Sequence, residues 1–200
     1  MKTKFMLLLA ATSLGLAGCQ APQSGGVSAK EFNALKKDVE DMKIAVYGDP
    51  RATCPSDKII DLAAYGENDA PKAQDDLKAW HAENGKRANV TTTSSGLQYK
   101  IVQSGPKDGP SPEAGQFVSV HYHGFFPNGE VFDSSYERNE PIEFPSNGVI
   151  SGWVEALGNM KPCDAWTLYV PGALAYGERG RGAIPADATL IFNVQLLAVN

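Results

Sequence analysis

The sequence predicts an α+β fold: an antiparallel sheet wrapped around one short helix, preceded by a helical N-terminal region. Three observations carry that prediction. From Leu97 onward apolar residues alternate with polar ones in several short runs, the period of half-buried strands. Within that half a single segment, Trp153, Leu157 and Met160, is spaced i, i+4, i+7 as one helix face requires. Ahead of it, apolar residues recur at helical intervals instead. Several strands with one helix among them make a sheet that buries its apolar face on that helix.

The first residues read as a targeting segment rather than as fold. Met1 to Lys4 is a short basic stretch, and Phe5 to Leu16 is apolar but shorter than the roughly 20 residues a membrane-spanning helix needs. It ends in Leu16-Ala17-Gly18-Cys19, which is similar to the lipobox of bacterial lipoproteins, where the cysteine is acylated and becomes the mature N-terminus. The alternative is an ordinary signal peptide, 1–18, with an incidental cysteine. On the lipoprotein reading, residues 19–30 form a lipidated tether, the membrane is a partner through Cys19, and Gln20 after the cysteine favours the outer membrane, facing the periplasm.

Ala29 to Val46 carries Phe32, Leu35, Val39, Met42 and Val46 at spacings of 3, 4, 3 and 4, an a/d seam little more than two heptads long. It suits a homodimer through residues 31–47, or a helix docked on the main domain. Glycine and two prolines in Tyr47 to Ser56 stop this helix. Two more helical pieces are expected, one capped by Ser56 and running to Tyr65, the other capped by Asp69, with Ala73, Leu77 and Trp80 on one face until Gly85. The helical N-terminal region thus covers 31–87, with His81 on a helix surface. Cys54 and Cys163 either pair or stand apart; their spacing does not decide.

Strands follow. Leu97, Tyr99 and Ile101 alternate, as do Val118, Val120 and Tyr122, and Pro127-Asn128-Gly129 turns the chain into Val131-Phe132. Trp166, Leu168 and Val170 form another run, and Leu190, Phe192, Val194 and Leu196 share one face of the last.

Eighteen Lys+Arg against twenty-three Asp+Glu give a net charge of −5, which argues against nucleic acid as a partner. His121 and His123 share a strand face without an evident third ligand, and the GERGRG run at 177–182 lacks the Lys-Ser/Thr of a phosphate loop. Neither calls for a metal or cofactor.

Five stretches in order carry a resemblance: VHYHG at 120–124, FDSS at 132–135, VISGW at 149–153, AYG at 175–177 and ATLIF at 188–192. Together they resemble FKBP-type peptidyl-prolyl cis-trans isomerases, over 92–200. Gly96 to Lys100 is similar to the domain start in the macrophage infectivity potentiator group, whose members carry a helical dimerisation region before it. The resemblance implies rotamase activity on proline-containing polypeptide clients, without a cofactor. It implies catalytic roles for Tyr122, Phe132, Asp133 and Tyr176, and a substrate-binding cup of Ile142, Val149, Ile150, Trp153, Ile184 and Phe192, with Trp153 as its floor. Ile142 stands where the family usually has an aromatic wall. Glu178 to Pro185 matches the loop over the pocket, one residue shorter than in many members. Strand alternation places Phe132 on the wall of the cup and turns Asp133 to the other side, at the rim.

Overall fold

The computed structural model describes residues 28–47, 52–65 and 76–200. Cys19 and the targeting segment, and Asp69 with Ala73, lie outside them. The chain divides into two compact units, Met1–Val46 and Tyr47–Asn200.

In the first unit, helix α1 (Ala29–Tyr47) begins at a reciprocal cap. The Ser28 hydroxyl accepts from the Glu31 N–H at 3.3 Å, while a Glu31 carboxylate oxygen accepts from the Ser28 N–H at 2.9 Å. Phe32 and Leu35 of the predicted seam are 60% and 51% exposed. The side chains of Met42 and Val46 lie outside the described residues.

The second unit is built on a seven-stranded sheet whose neighbours are all antiparallel. Its strands are β1 (Val90–Thr92), β2 (Gln98–Gln103), β3 (Phe117–Phe125), β4 (Val131–Ser134), β5 (Ile142–Pro145), β6 (Ala165–Val170) and β7 (Leu190–Val199). The order is β1-β2-β6-β7-β3-β4, with β5 on β3. β4 pairs with the second half of β3 and β5 with the first, so the two lie end to end along one strand. The β3–β4 hairpin turns where Pro127-Asn128-Gly129 predicts, closed by a 2.8 Å bond from the Gly129 N–H to the Phe126 carbonyl.

Two further helices complete the described part, α2 (Leu77–Asn84) and α3 (Ser151–Leu157). α3 supplies Trp153, Ala156 and Leu157 to the main core, where they meet Val118, Val120, Leu168, Val170, Leu190, Val194 and Leu196 from the inner face of the sheet. Met160, beyond the helix end, is fully buried with them.

The outer face is covered too, which changes the reading of residues 52–87. Ser56 opens a single 3-10 turn, Ser56–Lys58, rather than a helix to Tyr65. Beyond it the chain runs as a strap, irregular apart from one turn bond from the Tyr65 N–H to the Leu62 carbonyl, and several of its backbone groups bond to side chains of β7. Gln195 accepts from the Ile60 N–H at 2.9 Å and donates to the Lys58 carbonyl at 2.9 Å. Asn193 donates to the carbonyls of Leu62 and Tyr65 at 3.2 and 3.0 Å. Thr53 bridges Ala198, and Cys54 is disulfide-bonded to Cys163 with the Cα atoms 4.9 Å apart.

α2 starts at Leu77 with Asp76 as its cap, accepting from the N–H groups of Lys78 and Ala79 at 3.0 Å each. Its Trp80 packs on Tyr169 and Ile191, all three buried. His81 is half-buried rather than a surface residue, with ring nitrogens 3.4 Å from the Gln98 side-chain oxygen and 3.1 Å from the Thr189 hydroxyl. The segments 52–65 and 76–87, read from sequence as part of the helical N-terminal region, therefore pack on the back of the sheet, and residues 90–92, read as a polar link, form its edge strand β1.

Candidate active site

A cavity of about 720 Å³ opens between the inner end of the sheet, α3 and the loop after the 3-10 turn Gly177–Arg179. All ten pocket residues expected from the sequence line it: Tyr122, Phe132, Asp133, Ile142, Val149, Ile150, Trp153, Tyr176, Ile184 and Phe192. They come from β3, β4, β5, the entry and first turn of α3, the loop and β7.

Trp153 is the hub. Tyr122 meets its indole edge-on at 5.5 Å and 83°, and Phe192 does so at 5.2 Å and 86°. Phe132 meets Phe192 at 5.4 Å and 87°. Such edge-to-face contacts hold aromatic rings upright as walls rather than stacked as filling. Val149 and Ile150 enter the cup because they immediately precede α3, where Ile150 is the cap residue.

Phe132 and Asp133 both face the cavity, which corrects the expectation that alternation sends them to opposite sides. The register slips between them and β3: Gly124 pairs with Asp133, but Phe125 pairs with Val131. Phe132 is thus one residue too many for the ladder, a bulge that re-aims its side chain. Gly124 makes room, since a Cβ there would stand 2.8 Å from Cε2 of Phe132 and 3.1 Å from Cδ1 of Phe192.

Arg138, absent from the sequence expectations, fixes the carboxylate. It donates to Asp133 at 2.5 Å through one guanidinium nitrogen and to the Tyr122 hydroxyl at 2.7 Å through another. The Tyr122 hydroxyl in turn donates to the second Asp133 oxygen. Burial alone would raise the Asp133 pKa, but the hydrogen bonds from Tyr122 and Arg138 and the charge of Arg138 outweigh it and hold the group below the ordinary carboxylate range. Tyr122 is pushed up to about 12, chiefly by burial and then by its bond to Asp133. The rim is therefore an ionised carboxylate and a neutral phenol throughout the physiological range.

Phe144 and Arg181 also line the cavity and were missed. Phe144 was within reach of the pattern, because it lies two residues past Ile142 on the same face of β5. Arg138 lies five residues beyond Asp133 across a turn, and no periodicity signals such a return.

The two histidines of β3 are engaged locally. His121 lies 2.9 Å from the Ser135 hydroxyl and stacks on Tyr136 at 4.7 Å, and His123 lies 3.1 Å from the Ser134 hydroxyl.

Comparison with known proteins agrees with this geometry. The family model for FKBP-type peptidyl-prolyl cis-trans isomerase matches residues 109–197, and that for the domain amino terminal to it matches 56–101. A crystal structure of a peptidyl-prolyl cis-trans isomerase from Pseudomonas syringae pv. tomato is 34% identical over 62% of this chain and 90% of that one, with a TM-score of 0.57. The chain belongs to the FKBP-type peptidyl-prolyl cis-trans isomerase family. Within it, the chain is 50% identical over 118 residues to the FKBP-type 22 kDa peptidyl-prolyl cis-trans isomerase of Escherichia coli, covering 58% of this chain and 56% of that protein. It is 47% identical over 123 residues to the peptidyl-prolyl cis-trans isomerase Mip of Coxiella burnetii, covering 61% and 53%. The crystal structure of FkpA from Escherichia coli matches all of this chain and 82% of that one at 28% identity, with a TM-score of 0.59. The chain spans little more than half the length of the curated relatives it matches. The match to the amino-terminal model begins at Ser56, in the strap on the back of the sheet.

Proposed function

We propose that this FKBP-family protein is a peptidyl-prolyl cis-trans isomerase that acts on proline-containing polypeptides in the bacterial cell envelope. The observation that carries the reading is the meeting of an aromatic cup, built by Tyr122, Phe132, Trp153 and Phe192, with the ionised Asp133 at its rim. An X-Pro bond resists rotation with a barrier of about 18–20 kcal/mol and unaided takes about 10–100 s, because its amide must lose resonance. No bond between heavy atoms is made or broken. The rate rises when the site binds the twisted amide better than either planar form.

Each residue has a part in that preference. Trp153 seats the pyrrolidine ring, and Phe132, Phe192, Val149 and Ile150 wall it from water, which favours the less dipolar twisted amide. Asp133, held by Arg138 and Tyr122, and the Tyr176 hydroxyl orient the carbonyl and backbone of the client. Ile142 and Ile184 close the sides. The test adds the protein to an Xaa-Pro peptide enriched in its cis form and follows relaxation. Acceleration that Phe132→Ala reduces at least tenfold is expected, since about 1.4 kcal/mol of lost transition-state binding is a factor of ten. A folded chain that binds the peptide without accelerating it would make the site a chaperone's grip.

The same proposal extends to the N-terminal region. Acylated at Cys19, residues 19–30 would tether the protein to the outer membrane, facing the periplasm; several acyl chains hold stably where one binds reversibly. Cys19→Ser should then move it from the membrane fraction to a soluble or uncleaved form, and a mature protein starting elsewhere would overturn the anchor. A stripe with Phe32 and Leu35 this exposed supports a homodimer through residues 31–47. Mass in solution should halve on Leu35→Asp, and a monomeric parent protein at micromolar concentration would refute the dimer.

A further inference from the structure

Two charged side chains line the cavity, Asp133 and Arg181. The charge of Asp133 is matched by Arg138 at 2.5 Å. Arg181 forms no ion pair among the described residues; its guanidinium carbon stands 5.6 Å from the centre of the Tyr176 ring. Beside the matched pair at Asp133, the cavity thus presents one cation, Arg181, that forms no ion pair among the described residues.

Its backbone is braced. Arg181 and Ile184 exchange two hydrogen bonds of 2.9 Å across Gly182 and Ala183. Gly180 sits at φ 63°, and a Cβ there would fall 2.3 Å from the Ile184 carbonyl oxygen, so this hairpin closes only around a glycine. A 2.8 Å bond from the Asp187 N–H to the Gly177 carbonyl ties the base of the loop. A long cation is carried here on a fixed support, with its guanidinium beside an aromatic ring.

We infer that Arg181 determines specificity, favouring client segments with an Asp or Glu directly before or after the proline. The inference rests on the isomerase reading of the cup. Consecutive Cα atoms lie about 3.8 Å apart, so the residues flanking a seated proline remain at the rim. A planar guanidinium binds a carboxylate in a two-bonded fork, and Arg181, exposed at the rim, is free to reach one. A flanking Lys or Arg meets repulsion at the same point.

The experiment uses peptides that differ only in Glu, Gln or Lys before or after the proline. With the native chain, the Glu peptide should exceed its Gln counterpart in kcat/KM by about three- to tenfold at one flank or both. Arg181→Gln should bring that ratio to about one, and Arg181→Glu should turn the preference toward Lys. If Arg181 only steadies Tyr176, its loss would lower turnover of Glu and Gln peptides alike and leave the ratio standing, which overturns the inference. Kd values for the same peptides, by calorimetry, separate the two readings. A chain that turns over no peptide refutes the isomerase, while its Glu-to-Gln ratio of Kd, present or absent, still decides the role of Arg181.

Discussion

The Phe132 ring lies across Gly124 with no space for a methyl group between them, the nearest ring carbon being 2.8 Å from where a Cβ would stand. Gly124→Ala should therefore displace the wall of the cup without removing any of it. Overpacking of this kind costs about 1–3 kcal/mol. We expect a stability loss in that range together with a tenfold or greater fall in kcat/KM for an Xaa-Pro peptide. A variant with native activity would mean that Phe132 is not part of the working surface.

Arg138→Met removes the cation from Asp133 while keeping a stem of similar length. Both partners are about half exposed, so losing the pair should cost only about 0.2–1 kcal/mol of stability, and kcat/KM should fall only modestly. The pH profile is the sharper readout. In the native protein Asp133 titrates below the usual range and Tyr122 near 12, so neither changes charge between about pH 5 and 9. Without Arg138 the burial that raises the Asp133 pKa is opposed by less, and the acid limb should move to higher pH.

Removing the disulfide with Cys54→Ser and Cys163→Ser should cost about 2–5 kcal/mol in denaturant unfolding, since the bond closes a loop between positions 109 residues apart. The strap and the cup lie on opposite faces of β7, at Asn193 and Phe192 respectively. Peptide turnover at 25 °C should accordingly survive, and loss of turnover in a folded variant would show that the strap governs the cup.

His81 and His121 both titrate below the ordinary histidine value, each chiefly because burial disfavours the charged ring. The unfolded chain therefore binds protons first as the pH falls through about 6.5. Their contribution to stability is full above that value and is lost progressively below it. The denaturation midpoint should fall between pH 7.5 and 5.5, and the double variant His81→Gln, His121→Gln should flatten that slope. An unchanged slope would place the acid sensitivity elsewhere.

The inner face of this molecule was written plainly in its sequence. Val118, Val120 and Tyr122 on β3, and Leu190, Phe192, Val194 and Leu196 on β7, alternate because one side of each strand meets α3. Family-like motifs then named ten residues of the cup. The outer face was opaque for a physical reason. Asn193 and Gln195 look like solvent-facing positions, yet both are fully buried because their amides bond to the backbone of the strap. A strap held by another strand's side chains needs no periodicity of its own, so Ser56 to Tyr65 had nothing regular to display. Bulges are equally silent, and only the paired strand reveals that Phe132 has no opposite number on β3.

The link from Cys54 to Cys163 also sets how the domain would bear force. Tension entering along the chain from the N-terminal side reaches Cys54 and passes through sulfur to Cys163, beside β6 and β7. Residues 55–162, which hold β1 to β5, α3 and most of the cup, form a closed loop outside that load path. A pull between the N-terminal segment and Asn200 would extend only the chain beyond the two cysteines. A load that strips β6 and β7 away would take Tyr176, Ile184 and Phe192 from the cup but leave its β3, β4, β5 and α3 walls inside one covalent loop.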